Sequence, residues 1–249
     1  MKEVDLNADV GEIDPRIDEA LIPLITSANI ACGGHAGDAG SMRRTVELAR
    51  RHGVRVGAHP GYPDREHFGR RAMALPKGEV VALIRAQVEA LEAVALQAGA
   101  TVSHVKAHGA LYNQAERVPE LAAWIVEAVS GLPRPMTLVG RAQSAMEDAA
   151  RAAGLPFAAE AFADRRYRRD GTLLPRTEPG AVLESEGEVA EQVRRLCTLG
   201  EVVADDGVIV PVAFETLCLH SDTPSAARLA ARIRDLLAGL GVRVRPLDS

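Results

Sequence analysis

Aromatic side chains are scarce in this chain, with one Trp, three Tyr and four Phe in 249 residues. Few flat surfaces are therefore available for stacking nucleobases, and a formal charge of -5 with a pI near 5.8 supplies no basic footprint. Both features argue against a nucleic-acid partner. No apolar run approaches the roughly 18 residues that cross a bilayer, and the chain opens on a strand pattern rather than a basic segment with an apolar core. A cytoplasmic protein that does not engage membranes is expected. Cysteine is also sparse. Cys32, Cys197 and Cys218 are odd in number and lack the paired C-x-x-C spacing of a structural zinc site. They suit a reducing compartment and read as ordinary buried packing. Lysine is rarer still for a basic residue: Lys2, Lys77 and Lys106 stand among 29 lysines and arginines, which makes Lys106 conspicuous. Three catalytic signatures are missing as well. Without G-x-x-x-x-G-K-[ST], a strand-anchored G-x-G-x-x-G or G-x-S-x-G, the sequence signals no P-loop, dinucleotide-binding or serine-hydrolase chemistry.

What is present is an ordinary globular composition, 47% hydrophobic with a mean hydropathy of -0.01, and no linker or repeat divides it. A single domain over 1–249 is expected. Strand-like runs near 3–9, 27–32, 54–59, 104–108, 136–140, 157–163 and 208–219 alternate with helix-period segments at 39–52, 77–99, 118–130, 142–153, 187–198 and 223–240. That alternation is the mark of βαβ units around a parallel sheet. Pro76 and Pro119 fall where a first helical turn accepts them, and Gly53, Gly99, Gly131, Gly154 and Gly241 fall where helices end.

An open doubly wound sheet needs strands that are apolar on both faces. Here Asp5, Asn7 and Asp9 share one face of the first strand while Val4, Leu6 and Ala8 share the other. Lys106 and His108, Glu160 and Asp164, and His220 and Asp222 repeat the pattern. A polar face of this kind lines the lumen of a barrel, with chemistry at the C-terminal strand ends. The residues at or just past those ends are Asp9 and Glu12, His35 and Asp38, His59 and Asp64, His108 and Asn113, Asp164 and Arg165, and His220 and Asp222.

Blander readings apply to several of them. Asp38 and Asp222 precede helical segments and suit helix caps. His52 ends a helix and His67 lies in a polar loop, so both read as surface groups, and His104 starts its strand, at the far end from the site. Lys106 inside a barrel must pair with Asp5, Asp9 or Glu160, or else lose its proton. Asp9 with His35 and His59 could supply a divalent metal, although no H-x-x-x-H or H-E-x-x-H spacing supports it. Arg165, Arg166, Arg168, Arg169 and Arg176 offer guanidinium groups to a phosphate or carboxylate, or form a solvated loop.

Six strings in order, Asp5-Leu-Asn-Ala-Asp-Val-Gly-Glu12, Ser27-Ala-Asn-Ile-Ala-Cys-Gly-Gly-His-Ala-Gly-Asp38, Gly57-Ala-His-Pro-Gly-Tyr-Pro-Asp64, Val105-Lys-Ala-His-Gly-Ala-Leu-Tyr-Asn113, Phe162-Ala-Asp-Arg-Arg-Tyr167 and Cys218-Leu-His-Ser-Asp222, resemble the LamB/YcsF lactam-utilization family along essentially the whole chain. Gly34, Ala107 and Ser221 depart from the Phe, Pro and Gly usual there, each beside a site histidine. The resemblance implies a distorted seven-stranded (β/α) barrel, glycoside hydrolase/deacetylase-like, and cleavage of 5-oxo-L-proline to L-glutamate driven by ATP with magnesium, together with 5-oxoprolinase subunits B and C. On that reading Asp9, His59, Lys106 and His108 are catalytic, while Asp5, Asn7, His35, Glu160, Asp164, Arg165, His220 and Asp222 bind substrate. Two rivals stay open: a stand-alone metal-dependent deacetylase or amidohydrolase, and a non-catalytic carboxylate-binding subunit.

Overall fold

A computed structural model describes residues 2–223 and 225–247. Seven parallel strands close on themselves: β1 (Glu3–Val10), β2 (Ser27–Ala31), β3 (Arg55–His59), β4 (Val102–Lys106), β5 (Thr137–Arg141), β6 (Phe157–Phe162) and, after a short hairpin, β9 (Thr216–Cys218), which pairs with both β6 and β1. The hairpin is β7 (Glu201–Val203) with β8 (Ile209–Pro211), antiparallel and outside the barrel. A two-residue strand, β10 (Arg243–Val244), lies on the outer start of β1. The closed parallel barrel matches the expected architecture.

Helices cover the outside because parallel strands need crossovers, and the outward residues of β1 are apolar. Val4, Leu6 and Ala8 join a continuous buried core that includes Ile84, Val88 and Leu91 of α3 (Lys77–Gln97) and Leu229 and Ile233 of α8 (Ala226–Gly239). The remaining main helices are α2 (Ala39–Arg51), α5 (Pro119–Ser130), α6 (Ala145–Ala153) and α7 (Glu186–Leu199), with the short α1 (Pro15–Leu21) and α4 (Gly109–Ala115) unforeseen in the sequence. No helix among the described residues is long and apolar enough to cross a membrane.

Two expectations are corrected. The span 208–219 is not one strand but β8 and β9, and only β9 belongs to the barrel. Asp222 does not cap a helix, since α8 starts later, after Ser225 and without a side-chain cap bond. Asp38, by contrast, caps α2, accepting from Ser41 N at 2.8 Å while its own N–H donates to Ser41 Oγ at 2.8 Å.

Candidate active site

Alternation on β1 sets Asp5, Asn7 and Asp9 at three heights in the lumen. At the bottom Asp5 accepts from Ser27 Oγ (2.7 Å), Thr26 Oγ1 (2.8 Å) and Thr216 Oγ1 (2.5 Å). Burial pushes its carboxyl above the usual range despite those bonds. One level up, Asn7 Nδ2 donates to Glu160 Oε1 (2.9 Å) and Thr216 Oγ1 (2.7 Å), while its Oδ1 accepts from Asn29 Nδ2 (2.8 Å). Asn29 also donates to Asp9 Oδ1 (2.9 Å) and accepts from His104 Nε2 (2.9 Å).

His104 therefore belongs to this network. It lies mid-strand in the barrel interior, 2% exposed, where the sequence placed it at the far end. Burial and the nearby Lys106 charge lower its pKa to about 3, so it stays neutral. Its ring lies across Gly57, whose missing side chain makes the room.

Lys106 sits at the top of the stack, 3% exposed, with Nζ 2.8 Å from Glu160 Oε1 and 3.1 Å from both Asp9 Oδ1 and Cys218 Sγ. Asn7 Oδ1 is a fourth acceptor at 3.4 Å. An ammonium has three hydrogens, so its donors are all committed. Burial works against the charge, but Asp9 and Glu160 outweigh it and hold the pKa well above the ordinary value. Burial likewise opposes ionisation of Asp9, and His59 and Lys106 outweigh it, keeping that carboxylate well below its usual range. Cys218 stays a thiol because burial drives its pKa far up.

Beside Asp9 stand the histidines. His59 Nε2 is 3.4 Å from Asp9 Oδ2 and 3.0 Å from His108 Nδ1. His35 stacks on His108 with ring centroids 3.5 Å apart. Burial depresses the pKa of His35 to about 2 and that of His108 well below 6.5, with neighbouring imidazoles adding to both shifts. For His59 burial is outweighed by Asp9 and Glu12, so its pKa is raised. Glu12 Oε1 lies 2.8 Å from His35 Nε2 and 3.3 Å from His108 Nδ1, with its carboxyl pushed to about 7 chiefly by burial. The sequence placed Glu12 past a strand end but assigned it no role. Gly11, at φ +72°, breaks the strand's phase just before it, so alternation could not show where Glu12 points.

His220 completes the rim. Its Nδ1 is 2.9 Å from Asp164 Oδ1, its own N–H donates to Asp164 Oδ2 at 3.1 Å, and Thr223 Oγ1 donates to the same oxygen. Those contacts overcome burial and hold the Asp164 carboxyl near 2.

A cavity of about 560 Å³ opens above this layer. Asp9, His59, Lys106, His108, Arg165 and His220 line it. Asp5, Asn7, His35, Glu160, Asp164 and Asp222, expected to touch substrate, do not line it. Asp5, Asn7 and Glu160 lie beneath Lys106 and Asp9, Asp164 stands behind His220, and Asp222 is neutralised by Arg70 and by Arg176 at 3.1 Å. The loop arginines divide too. Arg166 pairs with Glu188 and Arg169 with Asp206, both away from the cavity, whereas Arg165, Arg168 and Arg176 line it. Arg168 is paired with Glu178 at 2.6 Å. Arg165 is 5% exposed and, among the described residues, has no carboxylate within salt-bridge distance, its bonds going to Leu174 O (2.6 Å) and Ala181 O (3.4 Å). Arg176 Nη2 is buried without a hydrogen-bond partner. His67 is exposed and paired with Asp64 at 2.9 Å, and His52 is a surface group at the end of α2.

The family model described as LamB/YcsF matches residues 4–249. A Methylococcus capsulatus protein named as the A-type subunit of 5-oxoprolinase is 48% identical over 250 residues, covering 99% of this chain and 96% of that protein. The crystal structure of a lactam utilization protein from Thermus thermophilus superposes with a TM-score of 0.90 at 43% identity, covering 98% of this chain and all of that one. The catalytic domain of a peptidoglycan N-acetylglucosamine deacetylase from Eubacterium rectale shares the fold alone, with a TM-score of 0.54 at 11% identity over the whole of this chain and 89% of that one. On sequence over nearly its full length and on the closed seven-stranded barrel alike, this chain belongs to the LamB/YcsF family.

Proposed function

We propose that this chain, acting with 5-oxoprolinase subunits B and C, opens 5-oxo-L-proline to L-glutamate with cleavage of ATP to ADP and phosphate. The observation that carries the reading is the unpaired cationic corner formed by Arg165 and the free edge of Arg176 on the cavity wall. A buried charge without a counter-ion is costly, and an anionic ligand offsets that cost. A substrate carboxylate or a phosphoryl group fits, and a guanidinium receives either through two parallel bonds. The names of the relatives point to lactams.

Chemistry follows from the opposite wall. A lactam is a resonance-stabilised amide, so phosphorylating its oxygen makes the ring carbon electrophilic. Water then adds to that carbon, phosphate leaves, the C–N bond breaks and the nitrogen takes a proton. Asp9 and His59, 3.4 Å apart, are placed to take the proton from water, and His220, held by Asp164, to orient the reacting group. The Lys106 donors are already used, so its part is to fix Asp9 and to supply positive charge rather than to grip phosphate.

The test is glutamate release from 5-oxoproline with and without ATP, by this chain alone and with both partner subunits. ATP-dependent release that needs the partners supports the reading. A second reading, an amidohydrolase acting alone with a bound metal that activates water, is favoured by the convergence of Glu12 with three histidines. ATP-independent hydrolysis by the isolated chain would select it.

A further inference from the structure

Glu12, His35, His59 and His108 bring one carboxylate oxygen and three ring nitrogens within 4.8 Å of one another. Two backbone carbonyls fix where the protons of this group lie. A carbonyl oxygen only accepts, so His59 Nδ1 donates to Lys106 O at 2.8 Å and His108 Nε2 donates to Phe68 O at 2.9 Å. In the neutral rings a lone pair is left on His59 Nε2 and another on His108 Nδ1, and these atoms face each other at 3.0 Å. Glu12 Oε1 closes the set, 3.8 Å from His59 Nε2, 3.3 Å from His108 Nδ1 and 2.8 Å from His35 Nε2. Electron pairs converge there from four directions. Imidazoles whose outer N–H is tied to a carbonyl while the inner nitrogen stays bare are oriented as metal ligands are.

We propose that Glu12, His35, His59 and His108 bind one divalent transition-metal ion of the zinc class. Tetrahedral bonds of about 2.0–2.1 Å separate ligand atoms by roughly 3.3–3.4 Å, and the distances of 2.8 to 3.8 Å bracket that span. Three imidazoles with one carboxylate suit zinc, cobalt or nickel, whereas magnesium prefers oxygen alone. The site is therefore distinct from any magnesium that accompanies ATP. Two glycines make the close stacking possible: a Cβ on Gly61 would lie 2.8 Å from His35 Nδ1, and one on Gly69 would lie 2.7 Å from His35 Cβ. His59 and His108 also line the cavity, so the ion adjoins the substrate space. The inference does not rest on either functional reading, because its test measures bound metal and not turnover.

Chelator-stripped protein is titrated with Zn²⁺ by calorimetry and with Co²⁺ by visible absorption. One equivalent of Zn²⁺ per chain is expected, with intense tetrahedral Co²⁺ bands. Glu12→Gln and His59→Ala should each weaken binding by about tenfold or more, and the surface variant His67→Ala should not. Absence of stoichiometric binding in the wild type overturns the proposal. So does wild-type affinity in both ligand variants, or loss of binding in His67→Ala, which would mark an adventitious surface site. Where a ligand variant fails to fold, the wild-type Co²⁺ spectrum decides: weak octahedral bands overturn the assigned donor set.

Discussion

Lys106 and Asp9 are joined across the barrel lumen, Nζ to Oδ1 at 3.1 Å, with both side chains almost wholly removed from solvent. Glu160 lies on the far side of the same ammonium at 2.8 Å, so one cation holds two buried carboxylates. Lys106→Met leaves both without it. Breaking a buried pair by removing one partner costs about 3–5 kcal/mol. At about 2–4 °C per kcal/mol for a chain of this size, thermal melting should fall by roughly 10 °C, and turnover should be lost with it. A melting point within a degree or two of wild type would show that the ion triad does not stabilise the fold.

Arg165 is predicted to behave in the opposite way. It has no carboxylate partner, so Arg165→Met removes a buried, unpaired charge along with two bonds to backbone carbonyls. Stability should change far less than in Lys106→Met. The substrate or phosphate should lose charge-assisted bonds of about 1.5–3 kcal/mol each, raising KM or the apparent ATP requirement by about 10- to 100-fold. Arg165→Lys should restore little, because an ammonium cannot reproduce the planar two-point grip. Steady-state kinetics on the assembled complex separates these outcomes, and unchanged KM values in both variants would remove Arg165 from ligand binding.

These contrasts mark what the sequence could and could not show. Alternation on β1 put Asp5, Asn7 and Asp9 on one face, and the structure keeps them there, but period-two patterning says nothing about depth. Asp5 consequently read as a ligand although Thr26, Ser27 and Thr216 seal it at the bottom. The arginine-rich segment was visible as composition, yet only pairing in space separates Arg165 from Arg166 and Arg169. The apolar run Val208–Val212 looked continuous with β9, and nothing local records that β8 turns outward to pair with β7. At Gly34, where the family usually has Phe, the space is taken by Gln87, which donates to Gly61 O at 2.8 Å and accepts from Gly61 N at 3.1 Å. That compensation joins residues far apart in sequence and could not be read from either one.

Asp164 should make stability depend on acid pH. Its folded pKa of about 2 lies below the ordinary value of 3.8. A depressed carboxylate contributes stability that is present above the unfolded pKa and lost as pH falls through the folded one. A shift of nearly two units corresponds to roughly 2–3 kcal/mol, withdrawn between about pH 4 and pH 2. Urea denaturation of wild type and Asp164→Asn across that window checks it. The variant should be less stable at pH 7, and the gap should close toward pH 2. A gap that stays constant would mean that His220 and Thr223 hold Asp164 without preferring its charged form.

Gly57 and His104 provide the sharpest packing test. They are register partners on β3 and β4, and the ring of His104 lies over the glycine because there is no side chain to exclude it. A Cβ at position 57 would sit 2.0 Å from His104 Nε2, the atom that bonds Asn29 Oδ1. The ring is buried in the lumen and has nowhere to retreat. Overpacking of this kind costs about 1–3 kcal/mol, to which the broken Asn29 bond adds about 1 kcal/mol. Because Asn29 also donates to Asp9, Gly57→Ala should lower turnover as well as stability, although neither residue lines the cavity. His104→Ala leaves a cavity and frees Asn29, so it should be destabilising by itself. In Gly57→Ala/His104→Ala the new methyl group enters the space that the imidazole left. The double-mutant cycle should show a favourable coupling of at least about 1 kcal/mol, the pair being less unstable than the sum of the single changes. Strict additivity would mean that the ring moves aside freely in Gly57→Ala, and that His104 does not hold Asn29 in place beneath Asp9.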